Sequence, residues 1–356
     1  MKLPTDTSDI LIYGSYGYTG TLIAEQAVEK GLYPLLAGRN ESKTAFLANR
    51  LNLPYIAFDL DNSQTLHEVL DRVKLVLNCA GPFSETAKPM VEACIAKGVH
   101  YLDITGEIEV FEYIASKNNE AKEAKIMLMP GVGFDVVPTD CLASYLKQQL
   151  PDANELELAF KGANKISRGT ALTMVKNIHK GGAIRSNGQI IPVPAGFKTK
   201  LIDFGKGERS TVSIPWGDVS TAYHSTNIPN IIVYTFTNKG TIRFLKLSNK
   251  IKWLLGSRWV QNFLRNRINK KLTGPDTQTR NTSFSYIWGQ VKNLEGKKRT
   301  ALLKTAEGYR LTAEAAVLAM EKVLAGNIFP GFKTPSIGFG YDFVMELQDT
   351  ERRLLD

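Results

Sequence analysis

The first 140 residues of this chain alternate six times between strand-like and helix-like segments. Short apolar runs rich in β-forming residues are separated by stretches with helical periodicity. The predicted strands cover residues 10–13, 33–37, 55–60, 74–79, 100–104 and 126–129. Alternation at spacings of about 20–30 residues is typical of a parallel, doubly wound α/β sheet. We therefore expect a Rossmann-type domain over residues 1–140, with a sheet that is covered on both faces.

The pattern changes at about residue 155. Stretches at 155–160, 169–175, 209–214 and 231–237 alternate or are rich in β-forming residues, and Gly, Pro, Asn and Ser separate them. They predict a mostly antiparallel sheet with few helices. With 356 residues, 43% of them apolar, the chain has the length and composition of a two-domain globular protein. The second domain is expected to be α+β, to cover residues 141–311 and to serve substrate binding and dimerisation.

A glycine-rich loop joins the first predicted strand to the first helix. In this position, backbone N–H groups and the helix dipole can hold a pyrophosphate, and glycines permit the tight turn and the close approach of the phosphates. The spacing is Gly-x-x-Gly-x-x-Gly, and the alternative is a strand-to-helix turn without a ligand. The predicted cofactor-binding residues of the loop are Gly14, Ser15, Tyr16, Gly17, Tyr18, Thr19 and Gly20.

The end of the second strand indicates which dinucleotide is bound. An NAD site usually places an acid there, about 20 residues after the loop, to bind the ribose 2′-hydroxyl. This chain has Arg39 and Asn40 instead. A guanidinium can bind a 2′-phosphate through two hydrogen bonds, whereas an acid would repel it. The sequence therefore predicts NADP rather than NAD, the alternative being a solvated surface arginine.

Further cofactor contacts are expected at the ends of the third and fourth strands. Asp59 is placed to meet the adenine or, alternatively, to cap the helix that starts near Asn62. The fourth strand ends at the point where the strand order of such sheets reverses, next to the ribose and nicotinamide. The predicted contacts there are Ala80, Gly81, Pro82 and Phe83.

Five ordered motifs resemble those of the saccharopine dehydrogenase-like oxidoreductases. They cover residues 14–20, 36–40, 77–83, 101–107 and 131–138, and the late stretches 308–313 and 331–336 continue the likeness. Within the family, the chain is similar to the stand-alone branch that includes trans-acting enoyl reductases. It departs from the family pattern at Tyr16, where small or hydroxyl residues are commoner.

The resemblance implies an NADP-binding oxidoreductase fold and leaves the substrate open, because fold does not determine chemistry. Its late motifs imply that residues 312–356 return to the Rossmann domain. This C-terminal segment begins with a predicted helix over 312–324, for which Thr312 is the N-cap candidate and Gly326 the stop.

Two acids are candidates for the chemistry. Glu107 and Asp135 follow the predicted fifth and sixth strands, whose ends face the cofactor cleft in this fold. Hydride transfer needs no protein nucleophile, but a positioned proton donor assists it. We expect these two residues to contact the substrate or transfer a proton. The alternative is that Asp103, Asp135 and Asp140 fix loops or cap helices, the usual role of aspartate at such places.

The positive charge of the chain is concentrated in one stretch, residues 243–272, called here the basic segment. The whole chain has a formal charge of +9, and the segment contains nine basic residues and no acid. Apolar residues recur at helical spacing between the cations. This pattern describes a helix lying on an anionic membrane or, alternatively, a helix packed on the second domain or in a dimer interface. The basic residues are Arg243, Lys246, Lys250, Lys252, Arg258, Arg265, Arg267, Lys270 and Lys271.

Other features limit the class and location of the protein. Three scattered cysteines and four histidines give neither a disulfide framework nor a metal-binding spacing. The N-terminus lacks the apolar core of a signal peptide, and no stretch approaches the roughly 18 apolar residues of a membrane span. No nucleic-acid recognition motif accompanies the basic residues. We expect a homodimer without a bound metal ion. We expect it in the cytoplasm, either free or peripheral at the inner face of the membrane.

Two hypotheses of function follow. The first is an NADPH-dependent reductase that acts on an enoyl, carbonyl or imine group of a lipid-like or amino-acid-derived small molecule. The second is an NADP-binding protein without turnover, a redox sensor or membrane-docked scaffold. The two differ in whether the second domain builds a closed pocket over the nicotinamide.

Overall fold

The computed structural model describes residues 8–162, 166–271 and 274–355. Residues 1–7 of the N-terminal stretch and Leu272, the last position of the basic segment, lie outside the described residues. The chain divides into two compact units. The first contains residues 1–137 and 309–339, and the second contains residues 138–308 and 340–356.

The strands and helices alternate as expected up to β6. The strands are β1 (Ile10–Tyr13), β2 (Leu35–Gly38), β3 (Tyr55–Ala57), β4 (Leu75–Asn78), β5 (His100–Asp103), β6 (Met127–Met129), β7 (Glu155–Lys161), β8 (Gly182–Ser186), β9 (Gln189–Val193), β10 (Thr199–Asp203), β11 (Glu208–Ser213), β12 (Asn230–Phe236), β13 (Phe284–Lys292), β14 (Lys298–Ala306), β15 (Gly331–Phe332) and β16 (Glu351–Leu354). The helices are α1 (Tyr18–Glu29), α2 (Glu41–Leu51), α3 (Ser63–Leu70), α4 (Phe83–Lys97), α5 (Ile108–Ser116), α6 (Asn118–Glu123), α7 (Val137–Gln149), α8 (Arg168–Asn177), α9 (Asp218–Thr226), α10 (Lys239–Ser248), α11 (Lys252–Leu255), α12 (Arg258–Lys271), α13 (Thr277–Thr282), α14 (Gly308–Leu324) and α15 (Pro335–Phe339).

The first unit is built on a parallel sheet with the order β15-β6-β5-β4-β1-β2-β3. The strands β1, β2 and β4 are buried at every position, because helices cover both faces of the sheet. This confirms the predicted Rossmann-type sheet. The chain leaves β1 for β2 on one side and returns to β4 on the other, so the carboxyl ends of β1 and β4 flank the crevice in which such sheets bind ligands.

Local capping explains where two helices of this unit begin. The Asn40 side chain accepts a hydrogen bond from the backbone N–H of Lys43 at 3.0 Å and so caps α2. The Asn62 side chain accepts from the N–H of Thr65 at 3.1 Å and caps α3. Asn62, rather than Asp59, is therefore the cap of the third helix.

The second unit is built on a mixed sheet with the main order β10-β11-β12-β7-β13-β14-β16, beside which β8 and β9 form a hairpin. Its strands pair antiparallel except for β12 and β7. Helix α7 packs on this sheet at Gly289, where a Cβ atom would lie 2.7 Å from the side chain of Leu146. These features confirm the predicted second α+β domain.

Two details of the second unit differ from the sequence prediction. Residues 169–175, predicted as β-rich, lie in helix α8, which Ser167 caps by accepting a hydrogen bond from the N–H of Thr170 at 3.2 Å. The unit also contains more helices than expected, because α7 to α13 all lie within it.

The C-terminal segment divides between the two units. Residues 309–339 belong to the first unit, where β15 pairs with β6. Residues 340–356 belong to the second, where β16 pairs with β14. The prediction that all of 312–356 returns to the Rossmann domain therefore needs correction for its last part. Helix α14 also starts at Gly308, so Thr312 lies inside the helix and is not its N-cap.

The basic segment is helical in the second unit. It runs from α10 through a short 3-10 turn at Asn249–Ile251 into α11 and α12, with a break at Gly256 and Ser257. Among the helices of the described residues, none is both long and apolar enough to cross a membrane.

Candidate functional site

The glycine loop between β1 and α1 is held against the ends of β2 and β4. The backbone N–H groups of Gly14 and Ser15 both donate to the carbonyl oxygen of Ala37, at 2.8 and 3.1 Å. Gly14 has φ +79°, and a Cβ atom there would lie 2.7 Å from the backbone nitrogen of Ala80. Only glycine fits this position, because the conformation is left-handed and the neighbouring backbone cannot move aside.

The start of α1 has the properties of an anion-binding helix terminus. Its N-cap residue, Gly17, has no side chain to cap the helix, and the first turn contains no acid. The loop also turns tightly enough that a Cβ atom on Gly20 would lie 2.5 Å from the carbonyl oxygen of Gly14. The positive end of the helix dipole therefore stays available for a phosphate. These residues fit a dinucleotide pyrophosphate.

Tyr16 closes the loop on the side of β2. A Cβ atom on Gly38 would lie 2.5 Å from the Tyr16 ring, so the ring lies directly on the end of this strand. The ammonium of Lys43 lies 6.0 Å from the centre of the same ring. Arg39 is exposed at the next position of the chain. Two cations and a tyrosine thus surround the place where the sequence predicts the ribose 2′-phosphate.

Asn40 and Asp59 have local hydrogen bonds in this region. The side-chain oxygen of Asn40 caps α2, so of its side chain only the NH₂ group could contact a cofactor. A side-chain oxygen of Asp59 accepts from the N–H of Asp61 at 3.2 Å and closes a turn after β3. Asp59 lies near Tyr13, whose pKa burial raises well above its usual value, with Asp59 as a further cause.

The segment after β4 is fixed by polar side chains. The Asn78 side chain accepts from the N–H of Ala80 at 3.0 Å, and the Thr86 hydroxyl donates to the carbonyl oxygen of Ala80 at 2.6 Å. The N–H groups of Phe83 and Ser84 donate to the Glu107 carboxylate at 2.8 and 3.2 Å. Ala80, Gly81, Pro82 and Phe83 consequently form a rigid wall beside the glycine loop.

Glu107 thus has a structural use that the sequence does not reveal. Its carboxylate, contributed by the loop after β5, caps the N-terminus of α4, whose own N-cap residue, Pro82, makes no side-chain hydrogen bond within the described residues. A carboxylate at a helix N-terminus is stabilised in its charged form. The geometry assigns Glu107 to positioning this wall, and its role toward a substrate stays a prediction.

Asp103 is a buried acid that fixes two loops. One carboxyl oxygen accepts from the N–H groups of Thr105 and Gly131, each at 2.9 Å, and the other accepts from the Tyr101 hydroxyl at 2.8 Å. Burial raises its pKa to about 6, although these hydrogen bonds oppose the shift. This is the loop-fixing alternative that the sequence left open. Asp140 is likewise buried, in the first turn of α7.

Asp135 approaches the same edge of the sheet from the loop after β6. A Cβ atom on Gly106 would lie 2.6 Å from an Asp135 carboxyl oxygen, so the structure brings Asp135 and the residue before Glu107 into contact. Burial raises the pKa of Asp135 to about 7. A carboxyl group that titrates near neutral pH is suited to donate a proton.

Replacing Asp135 by asparagine is expected to flatten the pH dependence of stability. The pKa of Asp135 is about 7 in the folded state and about 4 in the unfolded chain. The folded state therefore keeps the carboxyl proton up to a higher pH than the unfolded chain does. The free energy of unfolding of the wild type therefore falls as the pH rises from about 4 to about 7. Compared with its difference from the wild type at a pH of about 4, we expect Asp135→Asn to gain up to about 4 kcal/mol at a pH of about 8, because each unit of pKa shift corresponds to about 1.4 kcal/mol.

Urea unfolding at several pH values measures this difference. Asp61→Asn, which removes an exposed carboxyl group, is the control and should follow the wild type. If Asp135→Asn and the wild type had the same slope of stability against pH, the Asp135 carboxyl group would not be the titrating group.

Three residues of the site were not found from the sequence. Lys43 could have been found, because it lies on the first turn of the helix after Arg39. Tyr309 and Thr312 could not, because their partners are distant in sequence. The Tyr309 ring packs edge-on against Tyr18, with ring centres 5.0 Å apart, and the Thr312 hydroxyl accepts from the N–H of Phe134 at 3.0 Å. Helix α14 therefore braces both the glycine loop and the Asp135 loop.

No group of three or more His, Cys, Asp or Glu side chains among the described residues is arranged to hold a metal ion.

Comparison with known proteins identifies the domain. The family model described as saccharopine dehydrogenase NADP binding domain matches residues 10–129. This part of the chain is similar to that domain. The match confirms the resemblance that the motifs indicate and the predicted cofactor, NADP. It covers the glycine loop, Arg39, Asp59 and the wall after β4, all of which belong to the first unit of the structure.

Individual relatives agree with this assignment. The chain is 29% identical over 161 residues to a saccharopine dehydrogenase-like oxidoreductase from Mus musculus, covering 40% of this chain and 38% of the relative. It is 29% identical over 184 residues to a Mycobacterium tuberculosis protein named as a trans-acting enoyl reductase, covering 47% of this chain and 43% of the relative. The matches thus span about two fifths of these relatives.

A solved structure shows that the fold extends beyond the NADP binding domain. Apo saccharopine dehydrogenase (L-Glu forming) from Saccharomyces cerevisiae superposes with a TM-score of 0.68 and 14% sequence identity, covering 98% of this chain and all of that chain. This likeness confirms the two-domain α/β fold.

Proposed function

We propose that this protein is an NADPH-dependent reductase that transfers a hydride to an enoyl, carbonyl or imine group of a small molecule. The observation that carries the proposal is the combination, at one sheet edge, of a glycine loop of an NADP binding domain and an aspartate with a pKa of about 7. NADPH, when bound, supplies the hydride. The N-terminus of α1 holds the pyrophosphate, and Arg39 with Lys43 binds the 2′-phosphate.

In this proposal, Asp135 donates the proton that completes the reduction. Addition of a hydride to a C=O or a neutral C=N group leaves negative charge on the oxygen or nitrogen, and addition to the β carbon of an enoyl group leaves an enolate. In each case one proton completes the product. The Asp135 carboxyl group is protonated below a pH of about 7 and can donate that proton. Glu107 keeps the wall after β4 in place, because both of its carboxyl oxygens accept backbone N–H groups of that wall.

Among the substrate classes, we favour an enoyl or carbonyl compound of lipid-like character. The support is the Mycobacterium tuberculosis relative that is named as a trans-acting enoyl reductase. A dicarboxylic amino-acid imine is the alternative, and clustered arginines would be needed to bind it. The expected location is cytoplasmic, with a peripheral position at the inner membrane face as the variant that the basic segment supports below.

The experiment first titrates the protein with NADPH and NADH and follows nicotinamide fluorescence. A screen of enoyl thioesters, long-chain ketones and imine-forming amino acid pairs then follows the oxidation of NADPH. We expect tighter binding of NADPH than of NADH and turnover with one substrate class. Asp135→Asn should lower that turnover about 100-fold without changing the affinity for NADPH. Binding without turnover by any class would favour the redox-sensor or scaffold alternative.

A further inference from the structure

We propose that the basic segment is a docking surface for an anionic lipid bilayer. The proposal rests on the described part of the segment, residues 243–271, with side chains described up to residue 268. It is independent of the reductase proposal, because it uses no residue of the cofactor site.

The segment exposes its largest apolar side chains. Trp253 and Trp259 are 74% and 76% exposed, although tryptophan is usually well buried in a folded protein. Phe244, Leu247 and Phe263 are each more than half exposed. Exposed apolar residues concentrated in this way mark a surface that binds a partner or a membrane. The segment contributes both of the exposed tryptophans among the described residues.

The basic segment is nevertheless packed on the second unit. Side chains on the opposite face of the segment form hydrogen bonds with that unit. The Asn249 side chain accepts from the N–H of Ala195 at 2.8 Å and donates to its carbonyl oxygen at 3.0 Å. The Gln261 side chain donates to the carbonyl oxygen of Val175 in α8 at 2.9 Å. Leu245, Leu255 and other apolar residues of this face are partly buried. The segment therefore has two apolar faces, one packed and one without a partner among the residues that the structure describes.

The charge of the segment selects an anionic partner. Its described cations are all exposed, and none of them forms an ion pair with another described residue. The sequence contains no acid between residues 243 and 271. The cations in question are Arg243, Lys246, Lys250, Lys252, Arg258, Arg265 and Arg267. Lysine and arginine beside a membrane-facing apolar surface are attracted to anionic headgroups.

A lipid bilayer fits both properties at once. Tryptophan prefers the interface between headgroups and acyl chains, because its ring is apolar and its indole N–H is polar. Leu247, Ile251 and Leu254 are aliphatic and can enter the acyl region, whereas they would gain little from stacking on bases. A second copy of the chain fits less well, because a symmetric contact through this face would oppose like charges.

Vesicle binding tests the proposal with the full-length protein. Co-sedimentation is measured with phosphatidylcholine vesicles that contain or lack phosphatidylglycerol. We expect at least roughly tenfold stronger binding to the anionic vesicles at low salt, and a loss of that difference at high salt. Vesicles carrying brominated acyl chains should quench the tryptophan fluorescence, because Trp253 and Trp259 enter the bilayer.

Matched variants separate the apolar from the electrostatic contribution. Trp253→Ser/Trp259→Ser should lower the vesicle affinity about tenfold or more at constant charge. Lys250→Glu/Lys252→Glu should remove the preference for anionic lipid. Phe46→Ser, at an aromatic residue of α2 that is 73% exposed, and Lys297→Glu/Lys298→Glu, at exposed residues where the turn after β13 leads into β14, are the controls and should bind like the wild type. The exposed positions of all four variants make a folding defect easy to exclude by thermal unfolding.

Three results would overturn the proposal. The first is equal binding of the wild type to both kinds of vesicle. The second is stronger binding to a single-stranded oligonucleotide than to anionic vesicles, which would assign the face to nucleic acid. The third is a dimer in sedimentation that Trp253→Ser/Trp259→Ser dissociates without any effect on vesicles, which would assign the face to a second copy of the chain.

Discussion

Replacing Arg39 by aspartate is expected to weaken NADPH binding about 100-fold and to leave NADH binding within about threefold of the wild type. The two cofactors differ only in the 2′-phosphate, so an effect restricted to NADPH locates that phosphate. A hydrogen bond to a charged group contributes about 1.5–3 kcal/mol, which corresponds to a factor of roughly 10–150 in affinity. An aspartate at this position also repels the phosphate.

Lys43 should share this role to a smaller extent. It is on the first turn of α2, and its ammonium lies 6.0 Å from the centre of the Tyr16 ring that covers the end of β2. We expect Lys43→Glu to weaken NADPH binding by about tenfold. The exposed Lys30 follows the last turn of α1, at the opposite end of that helix from the glycine loop. Lys30→Glu makes the same change in charge as Lys43→Glu and serves as the control.

Fluorescence titration of each variant with both cofactors gives the dissociation constants. If Arg39→Asp kept the wild-type preference for NADPH, the 2′-phosphate would not lie at the end of β2. An equal loss of both cofactors would instead indicate damage to the loop, since NADH lacks the group that Arg39 is proposed to bind.

Local features of the sequence are sufficient to predict the first unit. Buried apolar runs and the glycines that end them give the strands β1 to β6, and the position of Gly14, Gly17 and Gly20 gives the phosphate loop. Each of these signals is contained within a few residues. The candidate cofactor-binding residues follow from the same local signals, because the carboxyl ends of neighbouring parallel strands meet at one edge, and their contacts with the cofactor stay a prediction.

The sequence predictions fail where residues that are distant in the chain determine the local structure. Thr312 looks like a helix cap, but its hydroxyl accepts the N–H of Phe134, far away in the sequence, and the helix starts at Gly308. Residues 169–175 contain β-branched side chains, yet they are helical, and α8 packs against α12, a helix about 90 residues later in the chain. Glu107 caps a helix that starts 24 residues before it. No local pattern carries such information.

Substitutions of two glycines give a second prediction. They separate the free-energy cost of a left-handed alanine from the cost of a steric clash of its Cβ atom. Gly14 and Gly31 both have left-handed backbones, with φ of +79° and +77°. A Cβ atom on Gly14 would lie 2.7–2.8 Å from backbone and side-chain atoms of Ala80, whereas a Cβ atom on Gly31 would meet nothing within 4 Å. The same substitution at the two sites therefore differs only in the clash and in the distance from the cofactor.

We expect Gly31→Ala to lose about 1 kcal/mol of stability, the cost of a left-handed alanine, and to bind NADPH like the wild type. Gly14→Ala should lose about 3 kcal/mol or more, because backbone atoms of β1 and β4 must separate. Its affinity for NADPH should fall at least about 100-fold, since the loop can no longer turn beneath the pyrophosphate. Urea unfolding and fluorescence titration measure the two effects.

A third variant keeps this prediction testable if Gly14→Ala does not fold. Gly17 has an ordinary φ of −68°, and its Cβ atom would lie 3.2 Å from the carbonyl oxygen of Gly14, a close contact that a small shift relieves. Gly17→Ala should therefore fold with a loss of about 1 kcal/mol or less and still weaken NADPH binding about tenfold, because Gly17 is the cap residue of α1, where the pyrophosphate approaches the backbone. Wild-type affinity in Gly17→Ala, or equal losses of stability in Gly14→Ala and Gly31→Ala, would show that this loop is a turn without a role in holding the cofactor.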